Sequence, residues 1–566
     1  MLISLFLICY TLFTAYISGI IFIHLFSKFT GIKNEQDDFA FFSIAGLCWI
    51  AIVLSIQHLF LNIGIYSHLL IWFINVIVWS VNAKHFSSVA LNAFQSFKTK
   101  PKQILFLYIL FLVGALINII ARPAVGDAAD YHFQAIRWIE EYKVVPGIGN
   151  VRRQLGNNSN WFLLNAFFGF SFTGLRSVYV LNASLLLMMV SFFAKPFENF
   201  LNGKTEKFLI LKSIILVYLM LTVFRKYVGA VTNDYPVTLM ILYIFTMLLE
   251  AKHEDILTKL LLIFFIAVMI TFKLSALPMA LLAVFIFFSL LKQIRVRQYF
   301  VFASLIIILF IPWIITNVMN CGYLVFPISS PDLFVVDWKM RKSVLEWEVM
   351  ANLAWARVPF TDVEISKNYV FAQWFPLWLK SLDGFSIFLM AGAILSSGVM
   401  GILLFVKKSR ALIIPHIKTE NIFIAVTGAV ALYLWFTHGP TPRFVFGYLV
   451  FLLAAQFWLM NHVFAGIQRS IIKNAKHLFL LIAAIFFVSC ATFLPQYFSA
   501  GSFAGSLIVP KSYTEVKTGN VKLKNGFVNV PEKNCQCWDS PLPCTSALDT
   551  TLTWRGTKME EGFKIK

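Results

Sequence analysis

Long apolar runs are the feature that most limits how this chain can fold. Runs of roughly 17–25 residues, each long enough to cross ~30 Å of hydrocarbon as a helix, recur along most of the sequence. Because no segment shows the ~10-residue alternation of a barrel strand, we expect every crossing to be helical. About fourteen transmembrane helices are therefore predicted, near residues 2–26, 39–62, 66–81, 103–121, 177–194, 207–224, 234–250, 257–271, 274–292, 299–318, 384–406, 420–437, 444–461 and 477–494.

Composition excludes a soluble globule of this size. The 566 residues are 59% hydrophobic and 13% charged, whereas soluble domains have ~45–50% apolar and ~25% charged residues. The net charge of +20 comes from lysines and arginines that punctuate the apolar runs, which favours lipid headgroups over nucleic acid as the partner. The first run lacks a basic n-region and an A-x-A-like site, so we expect it to stay as a helix rather than be cleaved.

Lysine and arginine distribution predicts the orientation. Alternate short connections between helices hold 21 lysines and arginines, and the short connections between those hold 4. The positive-inside rule therefore places the connections with 21 in the cytoplasm. Both termini are then extracytoplasmic. The long polar segments 122–160, 319–383 and 495–566 lie outside as well. The four basic residues of the short outer connections are Arg225, Lys226, Lys273 and Arg443.

This topology divides the chain into three parts. Residues 1–102 form N-terminal transmembrane helices, and residues 103–494 form a transmembrane core with two outer loops. Residues 495–566 form a small extracytoplasmic appendage, in which Asn525-Gly526 predicts a hairpin turn.

Cysteines in the appendage predict a disulfide. Cys535, Cys537 and Cys544 lie close together on a segment predicted to face an oxidising compartment. A zinc knuckle is the alternative, but this segment has no histidine and is one ligand short of a closed site. Cys321 is an alternative partner for the odd thiol.

The first outer loop concentrates the polar side chains best suited to chemistry. From Asp127 the pattern turns helical, and Asp127, Asp130, Tyr131 and Gln134 share one predicted face. Sugar transfer to a hydroxyl needs a carboxylate to accept the proton and cations to hold the departing phosphate. The plainer alternative makes Asp127 the N-cap and Asp130 a first-turn acid. His132 lies on another side, where a surface hydrogen-bonding role is the alternative.

Three fragments resemble the GT-C superfamily of integral-membrane, polyprenyl-phosphate-sugar-dependent glycosyltransferases. The run Asp127-Ala128-Ala129-Asp130-Tyr131 is similar to the Asp-Glu-x-x-Tyr of many members, with alanine in place of glutamate. Gly322-Tyr323-Leu324-Val325-Phe326-Pro327 looks like a turn that many bacterial members carry after a membrane helix. Pro442-Arg443-Phe444 is similar to their Arg-Tyr/Phe signature.

The resemblance implies an all-α GT-C architecture and an inverting transfer of sugar from a polyprenyl-phosphate donor. The acceptor would be an extracytoplasmic glycan, lipid or protein, and the resemblance to bacterial members implies a bacterial inner membrane. Asp127 would be the base, Asp130 would assist in place of the missing acid, and Arg443 with Lys273 would neutralise the phosphate. Substrate contacts are expected from Tyr131, His132, Gln134, Arg152, Arg153 and Asp234, although cations at helix ends are often membrane anchors.

Other functional classes remain open from the sequence. A transporter or flippase of a lipid-linked or small polar substrate would also need many helices and a few charges at membrane depth. Such a protein tends to show internal repeats, and no convincing repeat is present here. A non-catalytic scaffold is a third alternative. No cofactor is expected with certainty, and a divalent cation bound by two carboxylates stays an open alternative.

Overall fold

The chain folds into a predominantly helical bundle, seen in a computed structural model that describes residues 1–121, 126–174, 177–204, 206–252, 254–464, 475–497, 508, 516–532 and 536–566. The helices of the N-terminal part are α1 (Leu2–Thr30), α2 (Phe39–His58), α3 (Ile65–Val81), α4 (Ala83–Lys98) and α5 (Lys102–Ala121). Those of the first outer loop and the segment after it are α6 (Phe133–Glu141), α7 (Ile148–Val151) and α8 (Asn160–Gly169).

The core of the bundle and the second outer loop follow. Core helices are α9 (Leu181–Phe193), α10 (Lys195–Leu201), α11 (Leu209–Thr222), α12 (Asp234–Glu250), α13 (Ile256–Phe272), α14 (Met279–Leu290) and α15 (Val296–Cys321). The second outer loop carries α16 (Lys342–Arg357), α17 (Val363–Ser366) and α18 (Phe371–Ser381). The last helices are α19 (Gly384–Phe405), α20 (Lys407–Ile413), α21 (Thr419–His438), α22 (Phe446–Met460) and α23 (Ala475–Tyr497).

Every predicted apolar run contains a helix, which is the all-α membrane architecture expected from the sequence. Among the described residues, seven helices are long and apolar enough to cross a membrane. The number becomes eight if α3 and α4, bent by 107° at their junction, form one span. Fourteen crossings are therefore not confirmed, because helices such as α11 and α14 are shorter than ~20 residues.

Outward-facing apolar surface identifies a membrane protein. Most side chains of helices α15, α19 and α21 are not buried in the bundle, and many of their large hydrophobic residues are exposed. A contiguous apolar surface of this extent needs lipid around it. The helices α12 and α13 instead lie inside the bundle, with nearly every side chain buried.

The N-terminal pair α1 and α2 packs by close backbone contact. A β-carbon at Gly19 would lie 1.7 Å from the Phe42 carbonyl oxygen, and one at Gly46 would lie 1.8 Å from the Ala15 carbonyl oxygen. Only glycine allows this approach, a common device in membrane helix pairs.

The two predicted sides of the membrane map to two ends of the bundle. Polar contacts join predicted cytoplasmic connections to one another, as in the ion pair of Lys100 with Glu198 and the 3.1 Å bond from Gln36 to Asp255. Predicted outer segments likewise contact each other, as in Arg225 with Asp383 at 3.1 Å.

The appendage forms two small antiparallel sheets. β1 (Thr518–Leu523) pairs with β2 (Gly526–Pro531), and β3 (Leu552–Trp554) pairs with β4 (Phe563–Ile565). The first pair turns at Asn525, which has a φ of 68°, in the hairpin predicted from Asn525-Gly526.

Candidate active site

Five of the candidate residues of the first outer loop lie on one helical segment, residues 126–141, which we call the site helix: Asp127, Asp130, Tyr131, His132 and Gln134. It begins with a π-helical turn, Ala128–His132, and continues as α6. Such π turns are rare and are frequent at functional sites. Asp127, just before the turn, makes no side-chain capping bond. Its carboxylate is therefore available for another partner.

That partner is Arg443, which lies more than 300 residues away in the sequence. Arg443 forms an ion pair with Asp127, and its Nε atom lies 3.1 Å from Oδ2 of Asp234. Asp234 also pairs with Lys273. We call Asp127, Asp234, Lys273 and Arg443 the charged quartet. Four separate parts of the chain thus bring two carboxylates and two cations together.

Two tryptophans hold the backbone that carries Arg443. This arginine lies in a short 3-10 turn between α21 and α22. Trp435 donates from Nε1 to the Thr441 carbonyl at 2.8 Å, and Trp378 donates from Nε1 to the Pro440 carbonyl at 2.8 Å. The indoles fix the turn so that the guanidinium faces the site helix.

Lys273 and Asp234 are placed by helix ends. Asp234 opens α12, and Lys273 follows the last residue of α13. The Phe272 carbonyl accepts bonds from Ser159 Oγ at 2.7 Å and Asn233 Nδ2 at 3.1 Å. These bonds tie the backbone beside Lys273 to that beside Asp234.

Burial divides the quartet into an inner and an outer part. The Asp234 side chain is 4% exposed, whereas that of Asp127 is 39% exposed and that of Arg443 is 27% exposed. The Lys273 side chain is 21% exposed. Asp234 is therefore the buried partner of both cations, and Asp127, Arg443 and Lys273 are the members that a ligand can reach.

The charges of the quartet set each other's ionisation. Burial opposes ionisation of Asp127, but the surrounding positive charges, Arg443 foremost and Lys273 with it, together outweigh burial and hold the pKa of that carboxyl below its usual range. Burial lowers the pKa of Lys273, and Arg443 adds to this although Asp234 opposes it. Burial also opposes protonation of Arg443, yet Asp234 and Asp127 raise its pKa. Asp127 is thus ionised at neutral pH.

Phe444 completes the cationic side. The Lys273 ammonium lies 4.3 Å from the centroid of its ring, and the Arg443 guanidinium lies 5.4 Å away. These are cation–π distances. In the sequence, Phe444 is conspicuous only as part of the Pro442-Arg443-Phe444 motif.

Asp130 does not share the partner of Asp127. Its carboxylate pairs with Arg152, which also contacts Ser546 in the appendage. The face predicted for Asp127, Asp130, Tyr131 and Gln134 is split because the π turn departs from α-helical spacing.

Arg153 belongs to a neighbouring cluster that includes an unpredicted acid. It lies 2.5 Å from Oε2 of Glu348 and stacks on Trp347 at 4.1 Å from the ring centroid. The Glu348 side chain is only 5% exposed. Its sequence signal, a glutamate in a tryptophan-rich helix, is weak, and partners 195 residues apart cannot be read from it.

The remaining predicted residues of the site helix mostly hold it in place. His132 donates from Nδ1 to the Val231 carbonyl at 2.6 Å, and the Tyr131 ring packs against His132 at 4.4 Å between centroids. Burial lowers the pKa of His132 to about 4, although Asp127 opposes the shift. Gln134 bonds to the backbone of the appendage. Substrate contacts by these three residues stay predictions.

The disulfide joins Cys537 and Cys544. Cys535, the third predicted candidate, lies outside the described residues. Cys321 is buried, and its Sγ donates to the Asn317 carbonyl at 3.1 Å.

In the described part of the chain, the carboxylates of the site do not form a set of ligands for a divalent cation. No group of three or more His, Cys, Asp or Glu residues suited to an ion occurs there. Asp127 and Asp130 each face a different arginine.

The fold and its apolar exterior define a helical membrane protein with a charged site at one end. A family model described as "Domain of unknown function (DUF8201)" matches residues 1–450, and the chain belongs to this family. No curated protein and no solved structure matches the chain. The charged quartet lies within the matched region, whereas the disulfide-bearing appendage follows it.

Proposed function

We propose that this protein is a GT-C-type membrane glycosyltransferase that moves a sugar from a polyprenyl-phosphate donor to an extracytoplasmic acceptor. The observation that carries this proposal is the charged quartet, with a reachable carboxylate beside a reachable guanidinium. The class of reaction comes from the resemblance of the Asp127, Gly322 and Arg443 segments to that superfamily. A bacterial inner membrane location, with both termini outside, belongs to the same proposal.

In the proposed reaction, the carboxylate and the cations of the quartet have different roles. The acceptor hydroxyl oxygen attacks the anomeric carbon of the sugar and forms the new glycosidic bond. The bond from that carbon to the phosphate oxygen breaks, and its electron pair leaves with the polyprenyl phosphate. Asp127 takes the hydroxyl proton, and Arg443 with Lys273 neutralises the leaving phosphate. Attack opposite to the leaving group inverts the anomeric configuration.

The pairing of Asp127 with Arg443 also gives the site a way to sense its donor. A phosphate group binds arginine strongly in bidentate geometry, so the donor competes with Asp127 for Arg443. When Arg443 turns to the phosphate, the pKa of Asp127 rises towards its usual range, and the carboxylate becomes a stronger base. Asp234 keeps Lys273 and Arg443 in place during the exchange.

Asp130 has a supporting role in this scheme. It holds Arg152 next to the appendage and adds negative charge one turn from Asp127. A lipid-linked donor suits the proposed orientation, because its sugar is already activated and no nucleotide need cross the membrane.

Binding of the donor phosphate tests the cationic side. Polyprenyl phosphate should raise the unfolding temperature of the purified protein, because a ligand that binds only the folded state stabilises it. Arg443→Gln should remove most of this shift. Arg225→Gln is the matched control, since Arg225 faces the same side but pairs with Asp383. Equal shifts in both variants would contradict a phosphate site at the quartet.

A transporter or flippase is the second candidate, and one observation favours it. The opposite end of α12 borders a cavity of about 300 Å³ lined by Asp38, Lys195, Lys212 and Glu250, among others. Polar groups at both ends of a buried helix suit a protein with access from both sides. Uptake of a lipid-linked sugar into proteoliposomes, without sugar transfer, would favour this candidate.

A further inference from the structure

The disulfide-closed loop of the appendage, residues 537–544, is bonded directly to the site helix. Trp538 donates from its backbone nitrogen to the Ala129 carbonyl at 2.9 Å. Gln134 donates from Nε2 to the carbonyls of Trp538 at 3.0 Å and Ser540 at 2.8 Å. We call residues 537–544 the disulfide loop.

These bonds reach the part of the helix that carries the acids. Ala129 lies between Asp127 and Asp130, inside the π turn. Further along, Arg137 donates from Nη1 to the Asp539 carbonyl at 2.8 Å. The contacts thus follow the site helix over more than two turns.

The interface is packed as well as hydrogen-bonded. Gln134, Cys537 and Cys544 are fully buried. The Trp538 ring stacks on Phe133, with 6.2 Å between centroids and 18° between planes. A short loop closed by a disulfide has few conformations to lose, so it can hold a neighbour at small entropic cost.

We propose that the disulfide loop is a positioning element of the active site. Its bonds to Gln134 and Arg137 and the packing of Trp538 on the site helix fix the rotation that aims Asp127 at Arg443. This inference rests on the proposed function for its effect on catalysis. The positioning itself is a structural statement that can be tested without turnover.

A second, separate anchor of the appendage provides the matched control. Arg341 in the second outer loop lies 3.2 Å from Asp549 and bonds Thr551 at 3.0 Å. This anchor does not involve the site helix. Its loss should therefore loosen the appendage at another edge and leave Asp127 in place.

Hydrogen exchange of the full chain in lipid nanodiscs tests the positioning directly. The expected result is that exchange of amides 128–141 rises severalfold in Cys537→Ser/Cys544→Ser and after reduction of the wild type by dithiothreitol. Exchange of α13 should stay unchanged, and Arg341→Ala should match the wild type at 128–141. Unchanged exchange at 128–141 in the fully reduced protein would overturn the proposal.

Gln134→Met tests the same contact with the disulfide intact. Methionine keeps the length of the side chain but removes both donors. On the best prenyl-phosphate sugar, we expect turnover to fall about 10- to 100-fold, as small displacements of catalytic groups do. The acid limb of the pH–rate profile should move to higher pH, because Asp127 loses its close contact with Arg443.

The two proposals can fail separately. If no sugar is transferred by the wild type, the exchange measurement still decides on the disulfide loop. If the wild type is active and Gln134→Met keeps its rate and pH profile, the disulfide loop has no positioning role although the transferase proposal stands.

Discussion

At Asp127, two opposing effects act on one carboxyl group. Burial favours the protonated form, and the surrounding positive charges, Arg443 foremost, together favour the ionised form more strongly. The nearest acid in the sequence, Asp130, pairs with Arg152 instead. One residue of the site helix is therefore held as a carboxylate next to a cation that a phosphate can capture.

Asp127→Asn should lower turnover by ~10²–10⁴ because the amide cannot accept the acceptor proton. The amide keeps the shape of the side chain, so the unfolding temperature should change little. Asp337→Asn is the matched control, since Asp337 pairs with Arg555 and Lys564 in the appendage. Wild-type turnover in Asp127→Asn, measured with a labelled donor, would remove Asp127 from the mechanism.

His132 should make stability depend on pH. Its pKa is about 4 when folded and 6.5 ordinarily, so the unfolded chain gains its proton first as the pH falls. The stability present above pH 6.5 is therefore lost between pH 6.5 and 4, by up to roughly 3 kcal/mol. Thermal unfolding across this range should show a flatter profile in His132→Asn, and exposed His438→Asn should behave as the wild type. Identical profiles in all three proteins would contradict burial of a neutral His132.

Candidate site residues were predictable from the sequence where a charged side chain stands at the end of an apolar run. A lone arginine at a predicted outer helix end, or an aspartate just after a span, is conspicuous in an apolar sequence. Gln134 and Glu348 were not assigned their partners, because these lie in segments 404 and 195 residues away. Periodicity carries no information about such pairings.

At the scale of elements, the quartet joins the start of α12, the end of α13 and the turn before α22. Asp234 is the common partner of Lys273 and Arg443 at this junction. Because it is almost completely buried, its charge depends on both cations. The junction is therefore a structural contact as well as a part of the site.

Lys273→Met should destabilise the protein by roughly 3 kcal/mol, since it leaves a buried carboxylate with one cation fewer. Adding Asp234→Asn should recover much of the loss, because the buried charge is then removed too. Urea unfolding of the single and double variants measures this coupling. Additive losses would show that the two side chains do not act as a pair.

Element types were predictable from the apolar runs, and local irregularities were not. The hairpin at Asn525 follows from a turn residue that accepts positive φ. The π turn at Ala128–His132 does not follow from propensity, and its contacts with Arg443, Val231 and Trp538 come from distant segments that meet it only in the folded chain.

At the scale of the whole molecule, the bundle separates two polar ends by an apolar middle. One end carries the charged quartet and the appendage, and the other carries the cavity beside Lys212. The sequence predicted this division from lysine and arginine counts. The number of crossings was less predictable, because run length alone does not show which helices are shortened by breaks such as the 3-10 turn Leu274–Ala276.

Cysteine labelling tests which end faces the outside. Ser330→Cys in the second outer loop should react with an impermeant maleimide in intact cells. Ser88→Cys in α4 should react only after permeabilisation, and both positions are exposed. The wild type gives the background from native cysteines. The reverse pattern would place the charged quartet on the cytoplasmic side and contradict the proposed orientation.

Sugar transfer by the purified protein tests the proposed enzyme most directly. The wild type and Asp127→Asn are incubated in nanodiscs with a panel of prenyl-phosphate sugars and extracted envelope acceptors, and release of prenyl phosphate is followed. We predict release with at least one donor by the wild type and a loss of ~10²–10⁴ in the variant. Release at equal rates by both proteins would contradict a catalytic Asp127.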